Sequence, residues 1–228
     1  MSRPTAVITG ASRGIGRAIA RTLAADHDIV AAARSAAELA TLAAEIETSG
    51  GRCTPLVLDV TDAAAVAHAL AGVHADVLVN NAGVGILKPL LELTPQEWHR
   101  QVDVNFNALY HVTRALLPGM VARQRGHVVI IGSIAGRSAF PGGTAYAATK
   151  HAVMGFAECL MLEVRDQGVK VSVVSPGGVA TAFGDGDPAS KGWALRPDDV
   201  AAAVAHVLAT PPNVVVHRVE IRALAKKG

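Results

Sequence analysis

Tyr146 and Lys150 stand four residues apart, and Ser133 lies thirteen residues before the tyrosine. On a helix this spacing projects both side chains from one face, one turn apart. A lysine cation beside a phenol stabilises the phenolate and lowers the phenol's pKa. At an effective dielectric of ~20 and a separation of ~4 Å the attraction is roughly 4 kcal/mol. The expectation is a Tyr146 that titrates towards neutrality, a competent general acid or base. Spacing alone does not choose this pair, because Tyr110 and Arg114 stand equally far apart. An arginine would stabilise a phenolate as well. The neighbours of each pair in the sequence decide between them.

One such neighbour is a glycine loop, Thr9-Gly10-Ala11-Ser12-Arg13-Gly14-Ile15-Gly16, directly after the apolar run Ala6-Val7-Ile8. Glycines allow a tight turn and let backbone approach a pyrophosphate, and a following helix offers free N–H groups and a positive dipole end. The spacing Gly-x-x-x-Gly-x-Gly differs from the Gly-x-Gly-x-x-Gly fingerprint, so position at a strand-to-helix junction carries the assignment to a dinucleotide. The second apolar run ends Ala31-Ala32-Ala33-Arg34-Ser35, with no acidic residue over 29–35. An acid there would hold a ribose 2′-hydroxyl, whereas an arginine accommodates a 2′-phosphate. Arg13 and Arg34, with the hydroxyls of Ser12 and Ser35, therefore favour NADP(H) over NAD(H).

These residues need a scaffold, and the chain alternates short apolar runs with helix-period segments. Strands are expected at 6–8, 29–33, 56–58, 77–79, 128–131, 171–174 and 214–216, the last extended by Val219 and Ile221. Helices are expected from about 14, around Leu39, Leu42, Ala43 and Ile46, around Val66 and Leu70, over 95–122, over 144–166 and over 197–209, with Pro197 at a first helical position. Residues 176–196 read as a loop. Buried strands alternating with helices imply a parallel sheet covered on both faces. The expected fold class is α/β: one doubly wound Rossmann-type domain over 1–228, its seven-stranded, mostly parallel sheet flanked by helices on both faces. Such sheets bind ligands at the carboxyl ends of their strands, where strand order reverses.

Composition narrows the function classes. The 228 residues carry a net charge of +2 and only 4% aromatics, which argues against nucleic acid as a partner. The start has no signal-peptide run and no stretch reaches the ~18 apolar residues of a membrane span, so a cytoplasmic protein without a membrane partner is expected. Cys53 and Cys159 form no metal-type spacing and the nine histidines are dispersed, so no metal site is expected.

The sequence resembles the short-chain dehydrogenase/reductase family in its compact form, over nearly the whole chain. The matching residues are Thr9-Gly10-x-x-x-Gly14-Ile15-Gly16, Asp59-Val60, Asn80-Asn81-Ala82-Gly83, Asn105, Ser133, Tyr146-x-x-x-Lys150 and Pro176-Gly177-x-x-x-Thr181. The resemblance implies reversible hydride transfer between a nicotinamide and a carbonyl/alcohol pair. Asn105, Ser133, Tyr146 and Lys150 would be the catalytic set. Ser133 would bond the substrate oxygen, Tyr146 would exchange the proton, and Lys150 would tune the tyrosine and bond the nicotinamide ribose. Asn105, through its backbone, would hold a water that links Lys150 to solvent. Asp59 and Val60 would contact the adenine, and Asn81, Ala82 and Gly83 would line the end of the fourth strand. Pro176, Gly177, Val179 and Thr181 would hold the nicotinamide end.

The substrate is less well specified. Phe140, Phe183, Trp193 and Leu195 offer apolar cover near Ser133 and Tyr146, with Trp193 equally suited to helix packing or an interface. Asp185 and Asp187 read as solvated loop acids. A small ketone, aldehyde or secondary alcohol is the expected substrate. A carrier-bound 3-oxoacyl thioester is an alternative, with Arg123 and Arg125 as candidate docking cations. A non-catalytic NADP(H)-binding sensor is a further one, which the complete Asn-Ser-Tyr-Lys set argues against. By the same resemblance, helices over 96–122 and 144–167 would pair into a homodimer or homotetramer.

Overall fold

The computed structural model describes residues 3–185, 189 and 192–224. Seven strands form one sheet: β1 (Thr5–Thr9), β2 (Asp28–Ala33), β3 (Arg52–Val57), β4 (Val77–Asn80), β5 (Gly126–Ile131), β6 (Val169–Pro176) and β7 (Arg218–Ile221). Their order is β3-β2-β1-β4-β5-β6-β7, and every neighbouring pair is parallel. From β1 the chain builds outward to β3, then crosses back to β4 and builds the other half. This reversal between β1 and β4 opens a crevice at the carboxyl ends of the strands.

Among the described residues seven α-helices cover the sheet: α1 (Gly14–Leu23), α2 (Ala36–Thr48), α3 (Ala63–Ala69), α4 (Pro95–Val102), α5 (Ala108–Ala122), α6 (Thr144–Val164) and α7 (Pro197–Leu208). On one face Ile19, Leu23, Leu39, Leu42, Val200 and Val204 pack against Ile8 and Ile29. On the other, Val66, Val112, Leu116, Val153 and Leu160 pack against Val7, Leu78 and Val128. Successive strand residues point to opposite faces, so central strands buried on both sides must be apolar throughout. Each fully buried leucine or isoleucine contributes about 1.5–3 kcal/mol, so both layers are needed to hold the crevice in shape. No helix of the described residues is long and apolar enough to cross a membrane.

Three expectations change. The segment over 95–122 is not one uniform helix, because a π-helical turn, Asp103–Asn107, separates α4 from α5. The wider turn re-aims the side chains after it, a shift no apolar period reveals. The run 214–216 is not strand. A turn closed by Val214 N–H to the Pro211 carbonyl precedes it, and only Arg218–Ile221 pairs with β6. Finally, β3 begins at Arg52, well before the apolar run at 56–58. As an edge strand it tolerates Arg52, Thr54 and even Pro55, so it lacks the apolar signature of a central strand.

Candidate active site

The carboxyl ends of β1, β4, β5 and β6 bring the chemistry-bearing residues together. β5 ends at Ile131, and two residues on Ser133 caps a short 3-10 turn, its Oγ accepting from Ala135 N–H at 3.1 Å. That bond uses an oxygen lone pair and leaves the hydroxyl hydrogen available. Ser133 stands close enough to Tyr146 for its hydroxyl to act on the phenol. Tyr146 lies in the first turn of α6 and Lys150 one turn later, as the spacing predicts. Tyr110, the other candidate, is half exposed on α5 with its ring edge-on to His111.

The electrostatics differ from expectation. Lys150 Nζ lies 5.9 Å from the centre of the Tyr146 ring and donates to the Ile131 carbonyl at 3.0 Å. The cation is thus anchored to the end of β5 instead of being aimed at the phenol oxygen. Burial pushes the Tyr146 pKa up, against a smaller downward pull from the Ser133 hydroxyl. The expected fall towards neutrality is absent because burial outweighs it. Burial likewise lowers Lys150 to about 8. At neutral pH the resting pair is therefore a protonated phenol beside an ammonium, set to donate a proton.

Asn105 sits in the π-helical turn and is buried. Its Oδ1 accepts from Val84 N–H at 2.8 Å, and its Nδ2 donates to the Val84 carbonyl at 2.9 Å and to Thr149 Oγ1 at 3.1 Å. Thr149 in turn donates to the Tyr146 carbonyl at 2.8 Å. A carboxamide outside α6 thus braces the turn that carries Tyr146. Asn105 and Lys150 also line an internal cavity of about 10 Å³, together with Thr9 and Asn80. That is room for about one water molecule among polar partners.

The glycine loop sits beside this group. Gly10 adopts a φ of 64°, which favours glycine, and a Cβ on Gly16 would fall 2.3 Å from the Gly10 carbonyl oxygen. No side chain caps the start of α1 at Arg13, so its first amide groups, including those of Gly14 and Ile15, face the loop without a side-chain acceptor. Gly14 faces Thr181 across a gap, a Cβ there lying 3.4 Å from the threonine methyl. Asn81 ties the loop to β4, donating through Nδ2 to the carbonyls of Thr9 at 2.9 Å and Gly10 at 3.1 Å. Thr9 Oγ1 accepts from the N–H groups of Asn81 and Ala82. Asn80 to Gly83 is therefore more than a turn: it is sewn to the end of β1, and Gly83 lies against Asn105.

Arg13 and Arg34 are exposed, and among the described residues no ion pair engages either. Ser35 has a structural task, capping α2 by accepting from Glu38 N–H at 3.3 Å. Asp59 accepts from the backbone and hydroxyl of Thr61, which with a smaller push from Arg34 hold its carboxyl below the usual range. Val60 is buried and lines the small cavity. Beyond Pro176, Gly177 N–H bonds the Ile221 carbonyl, and Val179 bridges Leu195. Trp193 packs on Gly178 at the base of this loop. Phe183 reaches Tyr146, with ring centres 5.6 Å apart and edge-on. The Phe140 ring lies on Gly143, just before α6. Gly186 and Asp187 fall outside the described residues.

Sequence reasoning missed three residues. Arg17 donates to the Ser12 and Glu38 carbonyls and pairs with Glu45 at 2.7 Å, bracing the glycine loop against α2. Its place one turn after Arg13 was the available signal. Gln101, fully buried, accepts from Ile86 N–H at 3.1 Å. Gly85 receives the Phe183 ring. Neither shows in any spacing. Arg123 and Arg125, the candidate docking cations, precede β5, whereas Ser133 follows it. Arg123 donates to the Ala75 carbonyl and Arg125 pairs with Asp76. They lie at the amino ends of the strands, roughly 20 Å from Ser133 along β5, so these two cations do not flank the site.

A doubly wound sheet with this serine, tyrosine and lysine at its strand ends defines an oxidoreductase of the Rossmann class. Residues 4–191 match the short chain dehydrogenase family, and the chain belongs to it. It is 39% identical over 187 residues to the oxidoreductase UcpA of Escherichia coli, spanning 79% of this chain and 71% of that protein. It is 36% identical over 233 residues to the NADP-dependent 3-hydroxy acid dehydrogenase YdfG of Salmonella typhi, spanning 94% and 93%. Among solved structures, the alcohol dehydrogenase of the archaeon Thermococcus sibiricus, complexed with 5-hydroxy-NADP, superposes with a TM-score of 0.91 at 32% identity. That match covers 100% of this chain and 99% of the other.

Proposed function

We propose that this chain is an NADP(H)-dependent reductase, reversible as a dehydrogenase, for small ketones, aldehydes or secondary alcohols. The observation that carries the reading is a protonated Tyr146 beside Ser133, with Lys150 one turn along α6 and bonded to the end of β5, next to the glycine loop.

The residues fit a dinucleotide. Gly16 lets the loop close on α1, where a side chain would strike the Gly10 carbonyl, and the uncapped start of α1 supplies amide donors for a pyrophosphate. Gly10, Gly14, Ile15 and Thr181 would line that part. Arg13 and Arg34, with Ser12 and Ser35, would receive a 2′-phosphate, in keeping with the NADP dependence and the NADP analogue of the two relatives named above. Bound there, the nicotinamide would supply the hydride.

The chain's own residues do the rest. Ser133 would turn its hydroxyl hydrogen to the substrate oxygen and orient it. Tyr146, protonated at neutral pH, gives its proton to that oxygen as negative charge develops on it. Lys150 places a cation near the phenolate left behind, and Asn105 with Thr149 holds α6 in position. The small cavity beside Asn105 and Lys150 would hold a water through which the proton is restored. A panel of small carbonyl compounds and alcohols, followed by NADPH absorbance with NADH in parallel, tests the reading. Turnover with NADPH is expected, and none across the panel would favour a binding role only. We further propose that helices over 96–122 and 144–167 pair two copies of the chain.

A further inference from the structure

The backbone around Gly85 is held from both sides. Val84 is bonded through its N–H and its carbonyl to the Asn105 side chain, and Ile86 N–H donates to Gln101 Oε1. Gln101 and Asn105 stand four residues apart on α4 and the π-helical turn. Gln101 is fully buried, and its Nε2 has no partner among the described residues. A buried donor without a partner costs stability, and methionine would fill a similar volume without that cost. The one thing the amide contributes is the position of Ile86.

Between the held points, Gly85 faces the Phe183 ring. A Cβ at 85 would lie 2.3 Å from Cε1 and 2.8 Å from Cζ, and its nearest neighbours all belong to this ring. The backbone at Gly85 is not left-handed, so a Cβ there would displace the ring without straining the turn. The same ring stands edge-on to Tyr146.

We propose that Gln101 is a positioning residue, that Gly85 is the seat it presents, and that together they hold Phe183 as an aromatic cover beside Tyr146. The cover selects uncharged carbonyl compounds with an apolar substituent next to the reacting carbon. This selection rests on the reductase reading above. The cover itself does not, because its consequence is visible in the protein alone. The ring, edge-on to Tyr146 and itself 40% exposed, takes part of the phenol's surroundings from water, in line with the direction in which burial moves it.

The chain has two tyrosines, so near-ultraviolet titration of the protein, with Tyr146→Phe as the blank, isolates Tyr146. Phe183→Ala, Gly85→Ala and Gln101→Met are each expected to bring its titration down towards that of a free tyrosine. Gly85→Ala should add nothing in the Phe183→Ala background. Variants that melt earlier yet titrate like the parent would overturn the proposal, since a merely structural role predicts that result. For selectivity, cyclohexanone and pyruvate serve as probes with NADPH. The parent should prefer the ketone, and Phe183→Ala should lose about tenfold of that preference, through KM more than kcat. An unchanged preference would overturn the selective role. If the parent turns over neither probe, nor any compound of the wider panel, the reductase reading fails, and the titration still decides whether the cover exists.

Discussion

Lys150 Nζ is anchored to the carbonyl of Ile131, 3.0 Å away. Lys150 is therefore fixed by the last residue of β5, and its distance from the Tyr146 ring is set by the sheet. A buried ammonium with one backbone acceptor is costly. Its pKa, about 8 against the ordinary 10.5, expresses that cost.

The sign for stability follows from linkage. The folded protein releases this proton near pH 8, whereas the unfolded chain holds it to about 10.5. The penalty is full below pH 8 and is relieved as pH rises through that window. Lys150→Met is expected to gain up to about 3 kcal/mol near neutral pH, an advantage that shrinks towards pH 10. Denaturant unfolding at several pH values checks this, alongside loss of turnover.

The same titration shapes the rate. Tyr146 stays protonated through the neutral range, because burial raises its pKa. Carbonyl reduction should therefore hold steady up to about pH 8 and then decline as Lys150 loses its charge. A pH profile of kcat for reduction tests this, and a rate still rising well above pH 8 would contradict it.

Cofactor choice is expected to rest on exposed cations. Arg34→Asp should weaken NADPH by about ten- to hundredfold, the scale of one or two charge-assisted hydrogen bonds, and leave NADH unaffected or tighter. Fluorescence titration of both nucleotides separates this from general damage.

Arg17 should behave differently. It holds the loop through the Ser12 carbonyl and through α2, so Arg17→Met is expected to weaken NADPH and NADH alike, by roughly fivefold. Loss confined to NADPH would instead make Arg17 a direct phosphate ligand.

Much of the scaffold was legible in the sequence because central parallel strands must be apolar on both faces. Ala6 to Ile8, Val77 to Val79 and Val128 to Ile131 fall within observed strands. The edges were less legible, since β3 keeps polar residues and the valines at 214–216 do not pair. Helical spacing placed Tyr146 and Lys150 correctly on α6. It could not show that Lys150 bonds backbone, nor that burial would dominate Tyr146, because both depend on where β5 ends relative to α6. The roles of Gln101 and Gly85 were hidden for a similar reason: each acts on a residue that the fold, not the sequence, brings near.

The central claim is that Tyr146 delivers the proton in an NADPH-dependent carbonyl reduction. Single-turnover and steady-state reduction by Tyr146→Phe, measured beside NADPH affinity, test it most directly. The expected result is a fall in kcat of about a hundred- to ten-thousandfold with NADPH binding nearly unchanged. Turnover close to that of the parent would contradict the account.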